Sequence, residues 1–276
     1  MKHVHVAGLI LILTFALLQS AFAADPAADV TTALQKAVTG EHRSPENVAR
    51  NQYRHPVETL SFFGIRPEMT VVEISPGGGG WYTEVLAPFL REQGKLIAAN
   101  YDSSSEIEYY RVNAAKYLDK LKSRPDLYDR VSVIEFSPPK KSELATAASV
   151  DMVVTFRNVH NWIEAGNEAQ VFSAMFKALK PGGTLGLVEH RGKPDMVGKQ
   201  WAKQGYVAEA ETIRLAEQAG FKLAQRSEIN ANPKDTKDYP KGVWTLPPSL
   251  EEGDKDREKY LGIGESDRMT LKFIKP

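Results

Sequence analysis

The feature that most restricts the fold of this chain is a regular alternation of short β-branched runs with longer amphipathic segments. The apolar runs predict strands at residues 70–74, 95–100, 131–136, 151–156, 184–189, 222–229 and 269–274. The segments between them predict helices at residues 81–92, 105–122, 168–179 and 208–219. Strands joined through helices make right-handed crossovers. The chain is therefore predicted to be an α/β protein with a doubly wound, mostly parallel seven-stranded sheet.

The first 23 residues predict a secretory signal peptide. Lys2 supplies a positive charge, an apolar run of about thirteen residues follows at 6–18, and Ala-Phe-Ala at 21–23 has the small-x-small cleavage pattern. The run is shorter than the roughly 20 residues of a spanning helix, although an uncleaved anchor is the alternative. We expect a mature chain from Ala24, periplasmic or secreted, without a stable membrane span.

The rest of the chain predicts one large domain with two additions. Residues 24–60 are polar and alanine-rich, with stretches that predict a helical extension. Residues 61–276 form the predicted main domain. Within it, residues 230–267 predict a long loop-like insertion before the last strand. Loops of that length in a compact domain are usually functional or disordered.

Charge and cysteine content exclude several classes of function. The 276 residues include 35 basic and 35 acidic side chains, interleaved as on a solvated surface, so no nucleic-acid partner is predicted. The chain has no cysteine. Disulfides, thiolate zinc sites and a cysteine nucleophile are therefore excluded.

Four consecutive glycines at residues 77–80 follow the first predicted strand. In a doubly wound sheet, ligands bind beyond the carboxyl ends of the strands, and glycine lets the backbone approach them closely. A dinucleotide loop needs a third glycine where this chain has Tyr82 or Thr83. A Walker loop needs Gly-Lys-Ser/Thr, which is also missing. Both ligand classes are disfavoured.

Four segments carry a resemblance to a known family. They are "YRHPVETLSFFGIRPEMTVVEISPGGGGWYTEVLAPFL", "FRNVHNWI", "ALKPGGTLGLVEHR" and "IGESDRMTLKFIKP". In this order they resemble the class I S-adenosylmethionine (SAM)-dependent methyltransferases, and closely a group of predicted bacterial methyltransferases with signal peptides. The resemblance implies SAM as cofactor and in-line methyl transfer to a small or medium acceptor.

The resemblance also implies which residues hold the methionine end of SAM. Glu73 matches the acid that holds the methionine amino group, although the family usually has Asp. Gly77 and Gly79 match glycines that pass beneath the methionine and ribose. Ser75 stands where the first glycine of the motif is expected, and Tyr82 is a candidate to flank the cofactor.

The adenosine end falls on weaker matches. The acid that binds both ribose hydroxyls corresponds to Asn100, with Asp102 two residues further on. A carboxylate accepts from two hydroxyls, whereas an amide offers one acceptor and one donor group. Ser137 falls where the adenine amine is contacted, and Asn158 is a further cofactor candidate.

Candidates for chemistry lie at the ends of the fourth and fifth strands. His160 is a candidate base or substrate ligand and Trp162 a candidate pocket wall. The alternative is that His160 bonds loop backbone and Trp162 is core. Glu189 and His190 are a candidate acid–base pair, with a surface ion pair as alternative. Because this cluster lacks a spaced ligand set, no metal is predicted.

Arg54 and His55 lie in the extension before the first strand. In the family that the chain resembles, such an extension folds over the cofactor as a lid. These two side chains are candidates to bind a substrate carboxylate, or else to cap a helix.

Three functions remain open from the sequence. The first is methyl transfer. The second is an exported binding protein for another small ligand, because SAM is made in the cytoplasm. The third is a hydrolytic or oxidoreductive enzyme that uses Glu189 and His190.

Overall fold

A computed structural model of the chain describes residues 1, 3 and 26–276. Apart from residues 1 and 3, the predicted signal peptide lies outside the described residues, and so does its cleavage site. Within the described part of the chain, no helix combines the length and apolar character that a membrane crossing requires.

The protein is built on one seven-stranded sheet with the strand order 3-2-1-4-5-7-6. Strand β7 pairs antiparallel with β5 and β6, and the other four pairings are parallel. The strands are β1 Thr70–Ile74, β2 Lys95–Asn100, β3 Ser132–Glu135, β4 Val150–Phe156, β5 Leu179–His190, β6 Lys222–Ser227 and β7 Arg268–Ile274. The predicted doubly wound, mostly parallel sheet is confirmed.

Helices cover both faces of the sheet. They are α1 Pro26–Val38, α2 Pro45–Ala49, α3 Asn51–Arg54, α4 Pro56–Phe63, α5 Thr83–Leu90, α6 Glu108–Ser123, α7 Pro125–Tyr128, α8 Val159–Ala165, α9 Glu168–Ala178, α10 Lys199–Ala202, α11 Glu209–Gln218 and α12 Arg257–Ile263. Short apolar runs became strands because both faces of β1 and β4 are buried. The amphipathic segments bury one side only, as helices on a sheet do.

Helices α1 and α4, which precede the first strand, belong to the hydrophobic core on one face of the sheet. Leu34 of α1 and Leu60 and Phe63 of α4 are fully buried, in the same cluster as Leu86 of α5 and Val71 of β1. The predicted extension thus packs against the sheet. Its action as a lid stays a prediction.

Residues 230–267 carry more structure than the predicted loop. A 3₁₀ helix spans Gly242–Thr245 and α12 follows. Tyr239, Leu246 and Tyr260 bury their side chains against one another in a small cluster of their own. Sequence periodicity did not indicate this because the apolar residues lie far apart and contact each other only after the segment folds back.

Candidate active site

A cleft opens at the carboxyl ends of β1 to β4, where a doubly wound sheet binds ligands. Its interior measures about 70 Å³. Four predicted cofactor residues and one predicted substrate residue line it, namely Ser75, Asp102, Ser137, Asn158 and Trp162. Tyr101, which the sequence analysis missed, lines it too and stacks on Tyr110 with ring centroids 4.8 Å apart. An aromatic directly after a strand end was its only signal.

The glycine loop has two open and two closed positions. A Cβ atom at Gly77 or Gly79 would meet no heavy atom within 4 Å. A Cβ at Gly78 would come within 2.7 Å of Asn113 Oδ1, and one at Gly80 within 3.1 Å of Tyr117. Gly77 also has a φ of +73°, which favours glycine. The two glycines that the resemblance places under the cofactor are therefore the two that leave space unfilled.

Glu73 lies beneath this loop and already has a protein partner. Its side chain is buried, and its Oε2 accepts a hydrogen bond from Thr83 Oγ1 at 2.6 Å. Burial raises the pKa of Glu73 to about 7, and the hydrogen bond from Thr83 opposes that rise only in part. The carboxyl group of Glu73 therefore binds Thr83, the first residue of α5.

The two ribose candidates have different surroundings. The amide of Asn100 donates to the carbonyl of Ala114 at 3.2 Å and accepts from the backbone N–H of Tyr101 at 2.9 Å, so backbone contacts occupy it. Asp102 lines the cleft and accepts from Lys141 Nζ at 2.8 Å. That hydrogen bond lowers the pKa of Asp102 to about 2. Of the two, Asp102 is the carboxylate that faces the cleft.

Tyr82 is held away from the cleft. Its ring is buried and stacks on Phe156 with centroids 3.4 Å apart and planes 7° apart. Its hydroxyl donates to the carbonyl of Arg54 at 3.3 Å. In this position Tyr82 ties the end of α3 to the sheet, which is a packing role.

His160, Glu189 and His190 form one buried cluster at the ends of β4 and β5. Glu189 Oε1 accepts from the Nδ1 nitrogen of His160 at 3.0 Å and from the backbone N–H of His190 at 2.7 Å. Oε2 accepts from the backbone N–H groups of Val159 at 2.5 Å and His160 at 3.3 Å. The Nε2 nitrogen of His160 is buried without a hydrogen-bond partner among the described residues.

The cluster has the composition of a metal site but not the free ligands. One ligand atom from each of the three residues lies within 4.8 Å of the others. Both oxygens of Glu189, however, are taken by four N–H donors, so the carboxylate cannot turn to a cation without breaking them. A carboxylate oxygen accepts the hydrogen bond, so Nδ1 of His160 carries a proton, and in the neutral imidazole the lone pair is then on Nε2.

His190 is kept neutral beside this pair. Its Nδ1 lies 2.5 Å from Ser266 Oγ, and burial, the neighbouring His160 ring and the charge of Arg268 lower its pKa well below the usual range. The indole of Trp244, in the segment predicted as a loop, lies 5.6 Å from the His160 ring and 6.3 Å from the His190 ring, centroid to centroid. Trp244 was not predicted as a site residue, because it is only an aromatic residue in a long insertion without periodicity.

A second cluster next to the histidines gathers arginines around one acid. Glu265 Oε1 accepts from Arg50 Nε at 2.6 Å, and Oε2 accepts from Arg54 Nε at 3.3 Å. Arg268 donates to the same Oε2 and to the carbonyl of Tyr53. Arg54 was predicted as a substrate ligand, and its guanidinium stacks 4.7 Å from the centre of the Trp81 ring.

The remaining predicted substrate residues lie on different sides of the site. His55 has a left-handed backbone, and its Nδ1 lies 3.4 Å from Asn230 Oδ1. It lines a separate cavity of about 310 Å³ between α3 and residues 230–234. Trp162 was predicted as a pocket wall or as a core residue, and it is both: it lines the cleft and packs edge-on against Phe172 at 5.7 Å between ring centroids.

Comparison of the sequence with models of known protein families gave no match, and comparison with curated proteins gave none. Solved structures do resemble this one. A SAM-dependent methyltransferase from Aquifex aeolicus superposes with a TM-score of 0.52 at 16% identity, covering 89% of this chain and 98% of that one. One from Methanosarcina mazei gives 0.51 at 13% identity, with 78% and 96% covered. The cyclase SpnF gives 0.56 at 15% identity, with 90% and 94% covered. The shared property is the fold.

Proposed function

We propose that the protein is a SAM-dependent methyltransferase acting on a small or medium acceptor, and that it belongs with the bacterial methyltransferases that carry signal peptides. The observation that carries the proposal is the unfilled space over Gly77 and Gly79, in the loop that follows Ser75 of the cleft lining. Methyltransferases among the structural neighbours support it. SAM would supply a methyl group on a sulfonium centre.

The proposal assigns a group of residues to each part of SAM. Gly77 and Gly79 leave room for the methionine and ribose to lie against bare backbone. Asp102 is the carboxylate available to accept from ribose hydroxyls, and its low pKa keeps it ionised. Ser137 and Asn158 line the side on which the base would lie. Lys141 must share Asp102 with the ribose, which fixes how far the carboxylate can turn.

His160 is the group suited to take a proton from the acceptor. Glu189 holds the Nδ1–H, so the lone pair on Nε2 is the free position of the ring. As the acceptor atom bonds to the methyl carbon and the carbon–sulfur bond breaks, Nε2 would receive the acceptor's proton. Ser266 and Trp244 enclose the adjacent His190, which helps to exclude water from the transfer.

A binding protein on the same fold is the second candidate. It is favoured by Asn100, whose amide is occupied by backbone groups where a ribose-binding acid is expected. The cyclase among the structural neighbours is one protein of this fold with a different activity. In this reading the cleft would take another small molecule with an adenosine or amine group.

Calorimetric titration with SAM and S-adenosylhomocysteine distinguishes the two candidates. The methyltransferase proposal expects saturable heat with both ligands, and comparable affinity for the demethylated one. A folded protein that gives no heat at millimolar ligand would sink the proposal and leave the binding protein.

Export of the chain is part of the proposal. It rests on Lys2, the apolar run at 6–18 and the cleavage pattern at 21–23. A reporter fused after the first 30 residues is expected outside the cytoplasm and shortened by cleavage after Ala23. A full-length fusion recovered from the cytoplasm would remove the export claim.

A further inference from the structure

The arginine cluster beside the candidate active site has far more positive than negative charge. Among residues 26–276, Glu265 is the one carboxylate that Arg50, Arg54 and Arg268 contact. The guanidinium of Arg157 is close enough for the charges of Arg268 and Glu265 to act on it, and burial together with Arg268 lowers its pKa to about 10. Three arginines thus contact one carboxylate, and a fourth lies within reach of its charge. Buried cations are normally paired, so this arrangement lacks negative charge.

The cluster also has hydrogen-bond donors that nothing accepts. Within residues 26–276, Arg54 Nη1 and Arg268 Nε are buried and have no partner. Both residues are almost wholly buried, at 3% and 2% exposure. The side chain of Arg157 makes no hydrogen bond or ion pair with any described residue. Buried polar groups without partners are rare in folded proteins and call for a ligand, water or ion.

We infer that Arg157, together with Arg54 and Arg268, binds an oxyanion, the carboxylate or phosphate group of a small molecule. The planar guanidinium fork matches two oxygens of such a group, and the bond is charge-assisted at both ends. Arg157 keeps part of its surface exposed, whereas Arg54 and Arg268 are buried, so Arg157 is the one of the three that an anion can reach from solvent. A cation is disfavoured at the same place because the arginines repel it.

The position of Arg157 suggests what the anion is for. Arg157 directly follows β4 and stands three residues before His160, at the same edge of the sheet. An anionic group held there would lie at the same strand end as His160. Resting on the proposed function, this makes the methyl acceptor an organic acid or a phosphorylated compound. Oxyanion binding itself does not depend on methyl transfer.

The experiment is a thermal unfolding titration with inorganic phosphate, at constant ionic strength set with potassium chloride. Phosphate is expected to raise the melting temperature saturably, because a ligand that binds only the folded state stabilises it. Arg157→Gln is expected to melt higher than the parent without phosphate, because it removes one of four like charges. Arg157→Gln is also expected to weaken phosphate binding by about tenfold or more, because a charge-assisted contact is lost.

Controls separate this site from general charge effects. Arg214→Gln, on the exposed face of α11, makes the same substitution far from the cluster and should change neither the melting temperature nor phosphate binding. Arg157→Lys keeps the charge but loses the fork, and should bind phosphate with intermediate strength. Equal phosphate stabilisation in Arg157→Gln and the parent would overturn the inference.

A further titration tests whether the bound oxyanion belongs to the methyl acceptor or to the cofactor. With saturating S-adenosylhomocysteine present, the stabilisation by phosphate should persist in full, because acceptor and cofactor bind together. Loss of the phosphate effect would mean that the cluster holds the cofactor's carboxylate, which overturns the acceptor assignment. Phosphate binding in a protein that does not bind S-adenosylhomocysteine would reject the proposed function and leave the oxyanion site standing.

Discussion

Nδ1 of His160 donates to Oε1 of Glu189 over 3.0 Å, and three backbone N–H groups hold the same carboxylate in place. Glu189 thus determines which ring nitrogen of His160 carries the proton, and the backbone N–H groups determine where Glu189 lies. This is why His160 presents Nε2 as its free nitrogen. The same hydrogen bonds argue against Glu189 as a metal ligand, since its two oxygens already accept four of them.

Glu189→Gln is expected to lower the free energy of unfolding by about 2–4 kcal/mol, because the amide –NH₂ would face N–H donors where the carboxylate accepted. Urea unfolding at neutral pH measures the change. Glu164→Gln, at an exposed position of α8, is the matched control and should shift the free energy by less than about 0.5 kcal/mol. A loss at Glu189 no larger than at Glu164 would contradict the described hydrogen-bond network.

Gly79→Ala is expected to fold normally and to bind S-adenosylhomocysteine about tenfold more weakly or worse. The added methyl meets no protein atom within 4 Å, so the free energy of unfolding changes little. A ligand that lies on this loop would clash with the methyl group and bind more weakly. Calorimetry and thermal unfolding measure the two effects. Gly262→Ala in α12 adds a methyl into equally open space and should leave ligand affinity unchanged. Unchanged affinity in Gly79→Ala would show that the ligand does not lie on this loop.

Substitution of Asp102 is expected to weaken ligand binding, whereas substitution of Asn100 is expected to lower the stability of the fold. Asp102→Ala should weaken S-adenosylhomocysteine binding by about tenfold, because it removes the carboxylate that faces the cleft. Asn100→Ala should instead cost about 1–3 kcal/mol of unfolding free energy, because the Tyr101 N–H and the Ala114 carbonyl lose their partner. Affinity that is unchanged in both variants would remove the ribose assignment.

Glu73 is expected to make the protein less stable as the pH rises from about 4.5 to 7. Burial raises its folded pKa to about 7, above the unfolded value, so the folded state binds the proton more tightly. Stability from this group is present below the unfolded pKa and lost as the pH passes through the folded one, a loss of roughly 3 kcal/mol. Glu73→Gln should flatten this slope in denaturant titrations between pH 4.5 and 8. A parallel slope in the variant would mean that Glu73 ionises normally.

Glu265→Gln is expected to destabilise the protein by about 3–5 kcal/mol, because it leaves the surrounding arginines without their carboxylate. Burial opposes ionisation of Glu265, but Arg268, Arg54 and Arg50 outweigh it and hold its pKa far below the usual range. Stability from a lowered pKa is present above the unfolded pKa and lost as the pH falls, so the parent should lose stability below about pH 4.5.

Phosphate offers an independent check on Glu265→Gln. Binding of the added anion should partly restore stability, since it supplies the missing negative charge. Thermal unfolding with and without phosphate measures the recovery. A variant as stable as the parent at neutral pH would contradict the charge balance described for the cluster.

Local pattern was enough to find the sheet and most of the cleft. The two-residue and 3.6-residue periods depend on neighbouring residues, so the seven strands and the long helices between them were predicted, although β5 begins at Leu179 rather than at residue 184. Ser75, Asp102, Ser137 and Asn158 lie one or two residues after strands, and parallel strands bring their carboxyl ends to one edge. Their meeting in one cleft follows from sequence order once the fold class is known.

The sequence by itself determined the alternating elements, the fold class and the residues placed at the strand ends, because these depend on near neighbours. Only the tertiary structure decided which charges meet. Arg50 and Glu265 lie 215 residues apart, and His160 and Glu189 lie 29 apart. Trp244 reaches the histidines from a segment without periodicity. Burial, pairing and pKa depend on every group that folding brings close, and no local window of sequence contains that information.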